Sequence, residues 1–294
     1  MNSKQILVVL VAAMVGSVGC GSSDAENGFG QEQFDVRRET AGYGGTKDPP
    51  SGMNGKSPKC FWDHGTQDAL RGLGAKGLDS SGAGDLPSMP TVQAGCHDII
   101  EAAVECALDQ TQKIYDVDAG KTYVGWWGLA PSWQNHPITP KEGDLVTACV
   151  LQRLNAFGVT VQVLLEGDDP TIQEDLAADV DFPFHESTVF GNMFTSKNPL
   201  YTNRPAFDAF ICAEADFAQS CRKTAGGLLD TRICDSTSYC GFNYVGDCAA
   251  PAFLGASCPA AGSPYWWCNV PGQSLGAGVR VQLRYNPHPP ATCY

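Results

Sequence analysis

The sequence lacks several features that would place it in a familiar class. Beyond the first 19 residues it has no apolar run near the roughly 20 residues that a membrane-crossing helix needs. Charged residues make up only 17% of the chain, against an average of about 25%. Acidic residues outnumber basic ones by 32 to 19, and the formal net charge of −13 repels phosphate backbones and anionic lipids. We therefore expect no nucleic-acid partner.

Metal-binding and haem-attachment patterns are also missing. The cysteines form no Cys-x-x-Cys knuckle of the kind found in zinc ribbons, and no Cys-x-x-Cys-His motif is present. Of the five histidines, only His97 adjoins a cysteine, Cys96. The sequence predicts no metal site and no cofactor.

The N-terminus has the pattern of an export signal. Lys4 precedes an apolar run from Ile6 to Val15, and small residues then lead to Cys20. These are the parts of a secretory leader. The ending resembles a bacterial lipobox, which implies a lipid on the Cys20 sulfur, although such boxes usually carry Leu where this chain has Ser17. Ordinary cleavage after Gly19 is the alternative.

Composition divides the chain into a leader, a tether and a body. Residues 1–19 are the predicted lipoprotein signal peptide. Residues 20–58 are rich in small and polar residues, so a lipidated flexible tether is expected there. The disulfide-stapled body is predicted over residues 59–294, with a sub-boundary near residue 170. We expect an exported protein anchored by lipid at the outer membrane or cell surface, with its body in the periplasm or outside the cell.

Cysteine is abundant, and its count is even once the lipid carrier is set aside. Thirteen cysteines less Cys20 leave twelve, and an even set in an exported chain predicts a disulfide framework whose pairing the spacing leaves open. Eight of them lie from residue 212 onward, which favours a loop-rich, cross-linked C-terminal half. The twelve are Cys60, Cys96, Cys106, Cys149, Cys212, Cys221, Cys234, Cys240, Cys248, Cys258, Cys268 and Cys293.

Local patterns predict an α+β fold with one clearly capped helix followed by a strand. Thr139 and Glu142 form a capping box, Pro140 takes the first helical position, and the helix is expected over Thr139–Phe157 before a strand over Val159–Leu165. Weaker patterns predict a helix over His97–Gln110, a hairpin of Lys113–Val117 with Thr122–Trp127, and strands over Phe207–Ala213 and Ala277–Tyr285. Arg71–Gly95 is expected to be a loop, and Phe182–Phe194 irregular.

Three phrases resemble a known group of proteins. They are Glu105-Cys106-Ala107-Leu108, Gly128-Leu129-Ala130-Pro131-Ser132-Trp133, and the helix-to-strand segment from Thr147 to Val159. Their order and spacing are similar to those of uncharacterised cysteine-rich lipoproteins of myxobacteria and related bacteria, over roughly residues 105–159. The resemblance implies an exported lipoprotein and no particular activity.

Two segments carry residue types used in hydrolysis. Gly272 to Gly276 matches the Gly-x-Ser-x-Gly nucleophile elbow around Ser274, but a strand pattern follows it and no acidic residue lies after it. Glu166 and Asp168 follow a predicted strand, where two carboxylates could share glycosidase chemistry or bind calcium. A Gly-rich turn and a solvated Asp-Pro turn are the alternatives.

The aromatic clusters are candidates for binding. They are Trp126, Trp127 and Trp133 in one segment, and Tyr265, Trp266 and Trp267 in another. Neighbouring side chains on a strand point to opposite sides, so one member of each Trp pair is expected to face outward. Exposed indoles stack on sugar rings or anchor a protein partner, whereas buried ones fill a core.

Three functional hypotheses follow. The first is an exported, lipid-anchored protein with a binding or structural role, whose ligand is a glycan or a protein. The second is a secreted hydrolase acting on an ester or a glycan. The third is a subunit of an extracellular assembly.

Overall fold

The structure, a computed structural model, combines three α-helices with a mainly antiparallel sheet, and the third helix lies against one face of that sheet. It describes residues 51–53, 60–61, 63–154, 162–167, 169–170, 172, 182, 184–195, 208–214, 242–251, 268 and 278–283. All of them belong to one compact unit, Thr46–Tyr294. The predicted combination of helices and strands is confirmed.

Helix α1 covers His64–Lys76, so its last six residues fall within the predicted loop Arg71–Gly95. The loop prediction is wrong for residues 71–76. Glycines at 65, 72 and 74 lower the intrinsic helix propensity. The helix is instead stabilised by the Asp63 carboxylate, which accepts a hydrogen bond from the N–H of Thr66 at 2.9 Å, and by burial of Leu70 and Leu73.

Helices α2 and α3 follow the predicted patterns but end earlier. Helix α2 covers His97–Ala107, and helix α3 covers Pro140–Arg153. The capping box of α3 is confirmed: the N–H of Thr139 donates to Glu142 Oε2 at 2.9 Å, and the N–H of Glu142 donates to Thr139 Oγ1 at 3.3 Å. Leu154 is already extended, with φ −76° and ψ 131°, so α3 stops before the predicted end at Phe157.

The main sheet has seven strands: β1 Ser51–Met53, β4 Gln162–Glu166, β5 Phe184–Asn192, β6 Asp208–Ala213, β7 Asn243–Asp247, β8 Ala250–Pro251 and β9 Val279–Leu283. Their order across the sheet is β1-β4-β9-β5-β6-β7-β8. All neighbours are antiparallel except β6 and β7. Strand β1 lies inside the predicted tether and pairs with β4. The remaining strands, β2 Lys113–Asp116 and β3 Lys121–Val124, form the predicted hairpin.

Strand β5 corrects the prediction of an irregular segment. It lies between β9 and β6 in the sheet. Glu186, Ser187 and Thr188 in its first half are all buried, so the strand lacks the alternation of apolar and polar residues that marks a half-exposed strand. A β-bulge between His185 and Ser187 shifts its register against β9.

The sheet separates two apolar clusters. The face toward the helices carries Val163, Leu165, Val189, Ile211 and Val281, which join the helix side chains in the larger cluster. The opposite face carries a smaller cluster of Phe190, Phe210, Cys212, Val245, Cys248 and Cys268. No helix in the described part of the chain has the length and apolar character that crossing a membrane requires.

Three disulfides within the described residues confirm that the cysteines form bridges. Cys60–Cys96 joins the segment before α1 to the start of α2, Cys106–Cys149 joins α2 to α3, and Cys212–Cys248 joins β6 to the end of β7. Cys268 is disulfide-bonded as well. The bridges therefore link the helical layer internally and the sheet internally.

We expect the Cys106→Ala/Cys149→Ala double variant to lose about 2–5 kcal/mol of unfolding free energy, because the bridge closes a loop between two core helices. Urea denaturation followed by circular dichroism measures the loss. The exposed control Gln110→Ala should stay within about 0.5 kcal/mol of the parent. Free thiols at both positions in the native protein, found by mass spectrometry, would contradict the pairing.

Candidate binding surface on the hairpin

The large apolar side chains that the described residues expose all lie on the hairpin β2–β3 and its flanks. Tyr115 is 39% exposed, Val117 43%, Val124 51% and Trp126 39%. Isolated exposed apolar residues are ordinary on protein surfaces, but several on one small element mark a contact surface. The hairpin is therefore the candidate functional site.

Strand alternation gives the hairpin two distinct faces. Lys113 lies opposite Val124, and Tyr115 lies opposite Thr122. These four residues are exposed and form the outer face, together with Trp126 just after β3. The inner face carries Ile114, Asp116 and Tyr123, which are buried against the helices.

A single buried carboxylate anchors the inner face. Asp116 Oδ2 lies 2.7 Å from His97 Nδ1 and accepts a hydrogen bond from the Tyr123 hydroxyl at 2.9 Å. Its other oxygen accepts the backbone N–H groups of Asp118 and Ala119, each at 3.0 Å. Because His97 is the first residue of α2, one side chain joins the helix start, both strands and the turn.

The electrostatics of this cluster favour a charged Asp116 and a protonated Tyr123. Burial acts to raise the pKa of Asp116, but hydrogen bonds from Ala119, His97 and Tyr123 outweigh it, and the pKa lies below its usual value. Burial, then the hydrogen bond to Asp116, raises the pKa of Tyr123. The phenol thus remains a donor at any physiological pH.

An ion pair lies beside the cluster. Lys121 Nζ is 2.8 Å from Glu101 Oε1 on α2, and the same ammonium lies 5.7 Å from the centre of the Tyr123 ring. The hydrogen bond to Glu101 raises the pKa of Lys121, so the lysine stays charged. The hairpin is therefore held to α2 by His97 and Glu101, which lie on two successive turns of the helix.

The turn and the outer edge of β2 are tied to the loop that precedes α2. The Asp118 carboxylate accepts hydrogen bonds from the N–H of Met89 and, at 3.1 Å, from Ser88 Oγ. The N–H of Tyr115 donates to Gly84 O at 3.0 Å, and Tyr115 O accepts from Leu86 N at 2.8 Å. These contacts cover an edge that would otherwise expose unpaired backbone groups.

The segment after β3 caps the C-terminal end of α2. Its backbone N–H groups donate to the last carbonyls of the helix: Trp126 and Trp127 to Glu105 at 2.9 and 3.0 Å, Leu129 to Cys106 at 3.2 Å, Ala130 to Ala107 at 2.8 Å, and Gly128 to Leu108 at 3.0 Å. A side chain at Gly125 would place its Cβ 2.2 Å from Asp109 O, so only glycine permits this approach. Two of the segments that resemble the cysteine-rich lipoproteins, residues 105–108 and 128–133, are thus joined here by backbone hydrogen bonds.

The other tryptophans of this segment belong to the interior. Trp127 is 6% exposed, and Trp133 is fully buried. The Trp133 indole N–H donates to Leu73 O at 3.0 Å, and its ring meets Phe194 edge-on at 4.9 Å between centroids. Among these three, only Trp126 contributes to the surface.

Glu166 lies in a buried polar row on the sheet rather than at an open cleft. It is opposite Arg280 of β9, which is in turn opposite Thr188 of β5. The Thr188 hydroxyl donates to Glu214, and Glu166, Thr188 and Glu214 are at most 4% exposed. Within the described residues, no group of three or more His, Cys, Asp or Glu side chains could hold a metal ion.

Several candidates named from the sequence lie outside the described residues. They are Cys20, Asp168, Ser274, Tyr265, Trp266 and Trp267, together with the cysteines at 221, 234, 240, 258 and 293. Asp169, next to Asp168, forms an ion pair with Lys141, with 2.7 Å between Oδ2 and Nζ.

Sequence reasoning missed the cluster of His97, Asp116 and Tyr123. Its members lie on three elements, α2, β2 and β3, and His97 is 19 residues from Asp116. The one local signal was an aspartate at the end of a predicted strand followed by Asp118, Ala119 and Gly120, a sequence that suits a turn held by a side chain. Nothing local indicates that a histidine lies against it.

We expect Asp116→Asn to lower the unfolding free energy at neutral pH by about 3 kcal/mol, because it removes the charge from a buried hydrogen-bonded pair. The folded pKa of Asp116 is lowered, so its stabilisation is present above its unfolded pKa and is lost as pH falls through the folded value. The difference between parent and variant should therefore shrink as the pH falls below about 4.

Urea denaturation at several pH values measures this difference. The control Asp98→Asn, at an exposed position in the first turn of α2, should cost less than about 1 kcal/mol. A loss from Asp116→Asn no larger than that of the control would show that the carboxylate does not anchor the hairpin.

Comparison with known proteins supplies no identity. No family model, no curated protein and no solved structure matches this chain.

Proposed function

We propose that this chain is an exported, lipid-anchored binding protein that holds its ligand on the outer face of the hairpin β2–β3. The observation that carries the proposal is that Tyr115, Val117, Val124 and Trp126 are the exposed large apolar side chains of the described residues. Aromatic side chains on an otherwise polar surface supply most of the energy at binding sites. The outer membrane or cell surface is the proposed location.

Export is supported by the cysteines of the folded body. Three disulfides in the described residues are consistent with an oxidising compartment, since stable bridges are rare in the cytosol. The leader pattern and Cys20 point the same way, with the segment between Cys20 and strand β1 as the proposed tether. The remaining cysteines would cross-link a loop-rich C-terminal part of the body.

Binding through the hairpin is supported by the way it is anchored. The inner face is fixed by Asp116, the turn by Asp118, and the following segment by the carbonyls at the end of α2. A surface held in this way loses little conformational entropy on binding, which raises affinity for a given contact area. The inner face packs against the body, whereas the outer face is exposed and is the surface on which we place the ligand.

The lipid anchor is tested by metabolic labelling. In the producing bacterium, a palmitate label should enter the mature protein, and Cys20→Ala should abolish its incorporation while leaving the disulfides of the body intact. Gel fluorography and mass spectrometry of the N-terminal peptide measure both. An unlabelled parent, or a Cys20→Ala variant that keeps its label, would contradict the proposed anchor.

The binding surface is tested by photo-crosslinking in intact cells. Tyr115 and Trp126 are replaced one at a time by p-benzoylphenylalanine, with the same replacement at exposed Gln110 as the matched control. We expect adducts from positions 115 and 126 and none from 110, because only the first two lie on the outer face. Equal adducts at all three positions, or adducts at none together with ligand binding that Tyr115→Ala and Trp126→Ala leave unchanged, would contradict the hairpin as the binding surface.

A further inference from the structure

We propose that the ligand of the outer face is an uncharged glycan, bound as a short run of sugar rings along the hairpin. This inference rests on the proposed function and adds the chemical class of the ligand.

The size of the face suits a short oligosaccharide rather than a protein. Each strand has four residues, so the ribbon is about 13 Å long with strands about 5 Å apart. A stable protein interface buries about 800 Å² on each partner and involves about 20–30 residues a side. The outer face offers the five residues 113, 115, 122, 124 and 126 plus Val117 at the turn. These residues alone form a smaller surface than a stable protein interface requires.

The mixture of side chains suits a sugar. Tyr115 and Trp126 are about two-fifths exposed, so part of each ring is available for stacking while the rest is held by the fold. Thr122 lies directly opposite Tyr115, and Lys113 directly opposite Val124. Sugar rings combine an apolar C–H face with a rim of hydroxyls. Aromatic rings can stack against the C–H face. The Thr122 hydroxyl and the Lys113 ammonium can hydrogen-bond to the sugar hydroxyls.

The net negative charge of the chain favours an uncharged ligand over an acidic one. The chain carries a formal charge of −13, which repels a second copy of itself and any acidic polymer. The strand residues of the outer face include one cation, Lys113, and no carboxylate. The carboxylates beside them are Asp85, which is bridged to Tyr115, and Asp118, which accepts hydrogen bonds from Ser88 and Met89. A neutral polymer with many hydroxyls is not repelled by this negative charge.

The test uses the full-length lipidated protein in detergent. The probes are a printed array of neutral and acidic glycans, protease-treated polysaccharide from the envelope and medium of the producing bacterium, and soluble glucose and N-acetylglucosamine oligomers of one to six units. We expect binding to neutral glycans, with an affinity that rises over the first few units and then levels off. Titration calorimetry measures the affinity for soluble ligands.

Four substitutions assign the binding to the outer face. Trp126→Ala and Tyr115→Ala should each weaken binding at least tenfold. Trp126→Phe should lose less than Trp126→Ala, because it keeps a flat ring. Thr122→Val should weaken binding about fivefold through one lost hydrogen bond. Gln110→Ala should bind as the parent does, and circular dichroism should show that all variants remain folded.

The outcomes separate this inference from the proposed function. Absence of binding to the array and to the bacterial polysaccharide, or glycan binding that all four substitutions leave unchanged, would overturn the glycan ligand. If a protein is crosslinked at position 126 and its binding is lost in Trp126→Ala while no glycan binds, the proposed function stands and the glycan inference fails. If no crosslink and no glycan binding is found, both fail.

Discussion

The hydrogen-bonded carboxylate of Asp116 is the interaction on which the candidate site depends. Transfer of an unpaired carboxylate into the protein interior costs several kcal/mol, so its burial is tolerated only with donors on both oxygens. Here His97, Tyr123 and two backbone N–H groups supply them. The same four donors come from a helix start, a strand and a turn, so satisfying one charge also fixes the hairpin against the body.

Helix α2 extends this constraint to the far end of the hairpin. Its start carries the Cys60–Cys96 bridge and His97, and its end carries the Cys106–Cys149 bridge. The hairpin leaves from near the end of α2, returns its turn toward the helix start, and comes back to donate five N–H groups to the last carbonyls. Movement of the hairpin would therefore break contacts at both ends of a helix that two disulfides already hold.

Features set by neighbouring residues were predictable from the sequence, and features set by distant ones were not. The capping box of α3, the turn at Gly120 and the strand β9 each depend on residues within a few positions of one another. Helix α1 and strand β5 depend on distant partners: Gly74 makes room for Phe194, and the polar half of β5 is buried between β9 and β6. The pairing of His97 with Asp116 is of the second kind, which is why the centre of the site was missed.

The strand residues of the outer face are not among these anchors. The contacts that hold the hairpin are made by inner-face side chains, by Asp118 in the turn and by backbone groups, so smaller polar residues at positions 115 and 124 would preserve them. Exposed apolar side chains on a two-stranded ribbon also promote association, a tendency that a net charge of −13 opposes by repulsion between copies. Alternation puts Trp127 in the core and Trp126 at the surface. These exposed side chains are the ones on which the proposed binding function rests.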